Sequence, residues 1–285
     1  MRSLLLLLSL ACLPALALDA VDGTGRRLAL ARPASRIVSL APHATELLFA
    51  AGAGPRVVGV VDYSNWPPAA QRLPKVGGLS GISLEAVLRL RPDLVVVWRD
   101  GTSPRDIARL EDLGIPVFIS HPLALPDVAR ELVALGTLAG SAPQAEVAAR
   151  QYRERLTALE RTYAHRRPVR VFFQIGEAPL FTVSDQSFVG SLIRLCGGIN
   201  VFGRLSLPAP QVSLEAVVAA RPEVIVATDP APLRRWDAWP AVARGQRFVV
   251  AADPVSRPGP RLAEGAAELC RRIDAVRSRP GLTPP

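Results

Sequence analysis

Six side chains of this chain are of the types that grip a wide, flat, largely apolar ligand. Tyr63, Trp66, Trp98 and Phe181 each follow a short apolar run, in a chain whose aromatic content is only 5%. Aromatic faces pack against extended apolar surfaces, and Asp253 and Arg257, in the segment ADPVSR, supply charges suited to a polar edge. His43 and His121 also follow apolar runs, and two histidines with a carboxylate would begin a transition-metal site. His165 falls in a polar, helix-forming stretch. The motifs of catalysis are missing: there is no G-x-S-x-G elbow, no P-loop, no H-E-x-x-H and no C-x-x-C. These residues point to capture of a ligand rather than its conversion, with an exported metal-binding or enzymatic protein using His43 and His121 as the rival from another class.

Two acids raise a different question. ISLEAVLRLRPDLVVV, from Ile82, and VSLEAVVAARPEVIVA, from Val212, lie 130 residues apart and agree at 8 of 16 positions. Glu85 and Glu215 each stand two residues after a serine, in the first turn of an expected helix. A negative charge there gains about 0.3–1 kcal/mol from the helix dipole. A capping box would need the acid one place later, where the residues are Ala86 and Ala216. The dipole allows an acid at this position but does not demand it twice.

These residues need a scaffold, and the hydrophobic pattern supplies one. Apolar runs at 36–40, 57–61, 94–98 and 117–120 read as strands, separated by helical segments at 45–51, 84–90 and 104–113. The same alternation returns after Pro168, with strands at 169–175, 224–227 and 248–251, helices at 188–195 and after Ser213, and a short helical piece around Trp239. Strands alternating with helices imply parallel sheets. LEDLGIPVF and AVARGQRFV, offset by 131, extend the repeat, so the chain reads as a duplicated α/β lobe. Between the copies, 142–166 is rich in Ala, Glu, Arg, Leu and Gln, a composition that favours a single long helix. The expected organisation is a leader at 1–17, an N-terminal lobe at 35–141, the interlobe helix at 142–166 and a C-terminal lobe at 168–277, ending in a frayed tail.

The first residues, MRSLLLLLSLACLPALALDA, have a basic start, an apolar run over 4–13 and small residues at 15–17. That is the pattern of a secretory signal peptide cleaved near Ala17, which implies a soluble exported protein. Lipid attachment at Cys12 fits less well, because Ser9 stands where that motif carries leucine. In an oxidising compartment the remaining cysteines, Cys196 and Cys270, are expected to pair. The net charge of +9 comes almost entirely from dispersed arginines. Dispersed charge on an exported chain argues for a solvated surface and against nucleic acid.

RIVSLAPHATELLFAAG, VVGVVDYSNWPP, VGGLSGISLEAVLRLRPDLVVVW, LCGGINVF and PRLAEGAAELC together resemble the helical-backbone class of substrate-binding proteins of ABC importers. Within it they resemble the periplasmic cobalamin-binding members, with a haem- or ferric-siderophore-binding protein of the same fold as the alternative. The resemblance runs from Arg36 to Arg277. It implies two Rossmann-like lobes joined by one long helix, a corrinoid (cobalamin or a precursor lacking the lower base) as transported ligand rather than cofactor, and a monomer that delivers it to a permease with its ATPase subunit. It implies cleft roles for Tyr63, Trp98, Phe181, Asp253 and Arg257, with Trp66 at a further aromatic position. Two tryptophans of that family are replaced by Leu79 and Ala209. His43 stands where the family has a small polar residue, which would let it face a cobalt or haem iron. The resemblance gives Glu85 and Glu215 the role of docking to permease arginines, and it also matches Cys196 to Cys270.

Overall fold

The computed structural model describes residues 17–78, 81–230, 236 and 246–277. The leader ahead of Ala17, Cys12, Leu79, the helical piece around Trp239 and the tail beyond Arg277 lie outside the described residues.

A hairpin that the apolar pattern did not announce comes first, β1 (Leu18–Val21) paired antiparallel with β2 (Arg27–Leu30). Its turn is organised by Asp22, whose Oδ1 accepts from the Thr24 and Arg26 amides at 2.9 and 3.0 Å. The first lobe continues through β3 (Ile37–Ser39), α1 (Pro42–Ala50), β4 (Val57–Val60) and a small ribbon of β5 (Gly77–Gly78) and β6 (Gly81–Ile82). Then come α2 (Leu84–Arg89), β7 (Leu94–Trp98), α3 (Pro104–Asp112), β8 (Val117–Ser120) and α4 (Leu125–Leu138). Its main sheet has the order β4-β3-β7-β8, parallel throughout.

After α5 (Ala142–Tyr163) the second lobe is built from β9 (Val169–Gln174), α6 (Phe188–Leu195), β10 (Gly198–Asn200), α7 (Leu214–Ala219), β11 (Val224–Ala227), β12 (Arg247–Val249), α8 (Ala252–Ser256) and α9 (Leu262–Arg277). Its sheet has the order β10-β9-β11-β12, again parallel. Numbered within each lobe, both orders are 2-1-3-4. The duplication read from the sequence is therefore a duplication of topology.

Burial on both faces explains why the strands read as unbroken apolar runs. In β7, Leu94 and Val96 join the large core, while Val95 and Val97 join a second core under α2 and α3. The large core is continuous across the molecule. It runs from Ile37 and Leu47 through Ala145, Ala149, Tyr152 and Leu156 on the inner stripe of α5 to Val171, Phe173 and Leu269. At 22 residues α5 is about 33 Å long. It stops at Tyr163, a little short of the expected 166, before the backbone restriction imposed by Pro168. Gly136 lets α4 cross α5 closely, since a Cβ there would come within 2.2 Å of the Ala145 methyl.

Neither α4 nor α9 stood out in the sequence: Pro126 and Gly136 interrupt the helical pattern of the first, and Gly265 that of the second. Cys196, at the end of α6, is joined to Cys270 of α9 with a Cα–Cα distance of 4.7 Å. Both are fully buried, and the bond staples the second lobe internally. Among the described residues no helix is long and apolar enough to cross a membrane.

Candidate functional site: an interlobe cleft

In a 2-1-3-4 parallel sheet the first and third strands send their connections to opposite sides, which opens a crevice at their carboxyl ends. Trp98 ends β7 at this point in the first lobe and is half-buried. Gly101 shapes its seat, because a Cβ there would lie 2.2 Å from Cε3 of the indole. The His43 ring meets Trp98 edge-on, with centroids 5.6 Å apart and an interplanar angle of 81°.

His43 itself departs from the expectation that it faces the ligand. It is only 3% exposed, and its Nε2 lies 2.9 Å from Ser120 Oγ. Ser120 in turn donates to Glu131 Oε2, whose other oxygen accepts from the His121 amide at 2.8 Å. Burial, reinforced by the positive charge of Arg257, holds the His43 pKa down at about 3. The ring is therefore neutral, turned toward Ser120 and set edge-on against Trp98. Burial also pushes Glu131 up to about 7, against the opposing pull of its bonds from Ser120 and His121.

The His121 ring takes a different partner from that of His43. It faces Asp100 at 3.6 Å and lines a separate hollow of about 480 Å³ with Asp22 and Asp127. Among the described residues no group of three or more His, Cys, Asp or Glu is placed to hold a metal ion.

Trp66, Asp253 and Arg257 do come together, through partners that pattern reading missed. Asn65 Nδ2 donates to Asp253 Oδ2 at 3.0 Å, and Asn65 Oδ1 accepts from Arg257 Nη1 at 2.7 Å. Arg257 Nη2 lies 2.9 Å from Asp253 Oδ1. Glu46 of α1, also 3% exposed, accepts from Arg261 through both oxygens at 2.6 and 3.0 Å, and from Arg257 at 3.3 Å. The Arg261 guanidinium lies 4.9 Å from the centroid of the Trp66 ring. The hydrogen bond to Glu46 raises the Arg261 pKa further above its already high value. Glu46, Phe49, Trp66, Pro67, Pro260 and Arg261 enclose a small cavity of about 250 Å³ between the lobes. One signal for Glu46 existed: it is the lone charge in the apolar helix PHATELLFA.

Tyr63 is 61% exposed and holds a left-handed backbone with φ 63°. A non-glycine residue there costs about 1–2 kcal/mol, and such strain clusters at functional sites. Trp66 is 44% exposed and precedes a cis Trp66–Pro67 bond. Phe181 follows β9 and bridges to Gln211, half-buried. Ala209 sits exposed beside it, between Pro208 and Pro210, whose carbonyls accept from Ser184 and Thr182 at 3.0 Å.

On the helices that follow each Ser-Leu-Glu repeat, Ser83 and Ser213 cap the backbone, accepting from Ala86 and Ala216 at 3.2 and 3.1 Å. Glu85 and Glu215 are exposed. Glu85 pairs with Arg89 at 2.6 Å, whereas the equivalent position in the second lobe is Ala219. The backbone amide of Glu215, followed by the Ser213 hydroxyl, lowers the Glu215 pKa. Neither acid is engaged in packing the fold.

The comparisons with known proteins agree with this architecture. Residues 37–254 match the model of the periplasmic binding protein family. The chain is 37% identical to a vitamin B12-binding protein of Vibrio cholerae over 244 residues, covering 84% of this chain and 88% of that one. The crystal structure of the periplasmic vitamin B12 binding protein BtuF of Vibrio cholerae superposes with a TM-score of 0.80 at 36% identity, covering 87% and 99% of the two chains. A periplasmic haem-binding protein from Pseudomonas aeruginosa superposes with a TM-score of 0.73 at 26% identity, covering 88% and 95%. With its twin parallel lobes, its spanning helix and a family match over most of its length, the chain belongs to the periplasmic binding proteins.

Proposed function

We propose that this chain captures a corrinoid, cobalamin or a precursor of it, between its two lobes and hands it to an ABC importer. The observation that carries this reading is the 37% identity to a vitamin B12-binding protein over most of both chains. The cleft supports it: Trp98, Trp66, Tyr63 and Phe181 supply apolar faces at strand ends, and Asp253 and Arg257 supply a polar rim. The relatives are binding proteins, and the chain performs no chemistry on its cargo.

Glu85 and Glu215 are the docking acids, one on each lobe, free of any packing duty and aimed at arginines of a permease that works with an ATPase subunit. The protein acts as a monomer in the periplasm after loss of its leader near Ala17. His43 supports Trp98 and does not ligate the metal centre.

Titration of the purified chain with cobalamin, the precursor lacking the lower base, and haem tests the ligand. Saturable quenching of tryptophan fluorescence by a corrinoid is expected. Binding of haem or free metal ions alone would overturn the reading.

A further inference from the structure

The charged network between the lobes has a property that ligand contact alone does not explain. Its central carboxylate, Glu46, is 3% exposed, so it is placed to hold protein rather than to meet solvent or cargo. Among the described residues its side-chain partners, Arg257 and Arg261, both come from the other lobe, more than 200 residues along the chain. Arg261 takes both oxygens in a fork, and Arg257 Nη1 reaches one of them together with Asn65 Oδ1 while its Nη2 holds Asp253. The turn that carries the two arginines is pressed onto α1. Gly259 at its centre is buried, and a Cβ there would touch Glu46 Oε2 at 3.3 Å and the His43 carbonyl at 3.7 Å. Arg261 also lies over Trp66, so one guanidinium is shared by the interlobe contact and a cleft aromatic.

We propose that Glu46, Arg257 and Arg261 form an interlobe pin that sets the width of the cleft and orients Trp66 and Arg257 within it. A planar guanidinium gripped by two carboxylate oxygens fixes direction as well as distance, which a single contact between lobes would not. The lobes are joined both by the shared core along α5 and by the pin between α1 and the turn before α9, and two attachments resist rotation that either alone would permit. Glu46 and Arg261 are thus positioning residues. The statement about cleft width stands by itself, whereas the statement about cargo rests on the corrinoid reading.

Spin labels on exposed positions of the two lobes, at Arg105→Cys and Arg204→Cys, report the lobe separation in the full chain with its disulfide intact. The unmodified pin should give one narrow distance distribution. Glu46→Gln and Arg261→Gln should each broaden it, and each should weaken cobalamin binding about tenfold, chiefly through a faster off-rate. A merely structural role would lower thermal stability without moving the distances. Unchanged distributions in folded Glu46→Gln or, should that variant not fold, in Arg261→Gln would overturn the pin. Broadened distances in a protein that binds no corrinoid would uphold the pin and reject the ligand.

Discussion

Glu131 and His43, linked through Ser120, titrate in opposite senses. Glu131 rises from its ordinary 4.5 to about 7 on folding, so between those values the folded chain keeps a proton that the unfolded chain has lost. Stability contributed by that proton is present at low pH and is lost as pH rises through 7. His43 falls from 6.5 to about 3, so the unfolded chain gains a proton that the folded chain refuses, and stability is lost as pH falls through that window. Glu131→Gln removes only the first dependence. Relative to wild type, the variant should gain roughly 3 kcal/mol between about pH 4 and pH 8, read from urea unfolding at each pH. A pH-independent difference would show that Glu131 titrates normally. None of this was legible in APHATE or ISHPL, since a histidine after a strand has the same local sequence whether its ring turns outward or inward. Trp98 was legible as a strand-end aromatic, but its seat on Gly101 and against His43 needed the folded chain.

The helices α2 and α7 show how far a repeat reaches beyond its matched letters. Each is six residues long, is capped by serine, and is followed by an arginine in the left-handed region, Arg91 at φ 45° and Arg221 at φ 44°. Each is then followed by an acid that secures the start of the first strand of the lobe's main sheet. Asp93 accepts from the Arg36 amide and Glu223 from the Arg170 amide, both at 2.8 Å. The sequence carried this through spacing alone, because turn, cap and strand are local. The pairing of α6 with α9 is not local: Cys196 and Cys270 are 74 residues apart. Closing that loop restricts the unfolded chain by about 4 kcal/mol in the chain-entropy treatment. Replacing both cysteines by serine should lower the unfolding free energy by about that amount, measured in urea, while the first lobe keeps its structure. An unchanged unfolding midpoint would rule out this contribution.

At the scale of the whole molecule, the two lobes share one core through α5, so the acids at α2 and α7 are held at a set separation. Exposed charge pairs act mainly on encounter and register. Glu85→Lys with Glu215→Lys should therefore abolish uptake by cells while corrinoid binding in solution is unchanged. Loss of ligand binding in a folded double variant would contradict the docking role. In the proposed docking, the first-lobe acid must be drawn away from Arg89, a partner that Ala219 does not offer Glu215.

What the sequence determined by itself was whatever depends on near neighbours. The alternation of apolar strand and amphipathic helix, the twin serine-capped starts, the composition of the rod and the aromatics at strand ends all follow from short-range periodicity and propensity. What only the tertiary structure decided was which distant groups meet. Glu46 with Arg261, Asn65 with Asp253, and His43 with Ser120 are joined across 215, 188 and 77 residues. A buried charge or imidazole must find a partner when water is removed, and that partner is chosen by how sheets and helices pack, which no local stretch encodes.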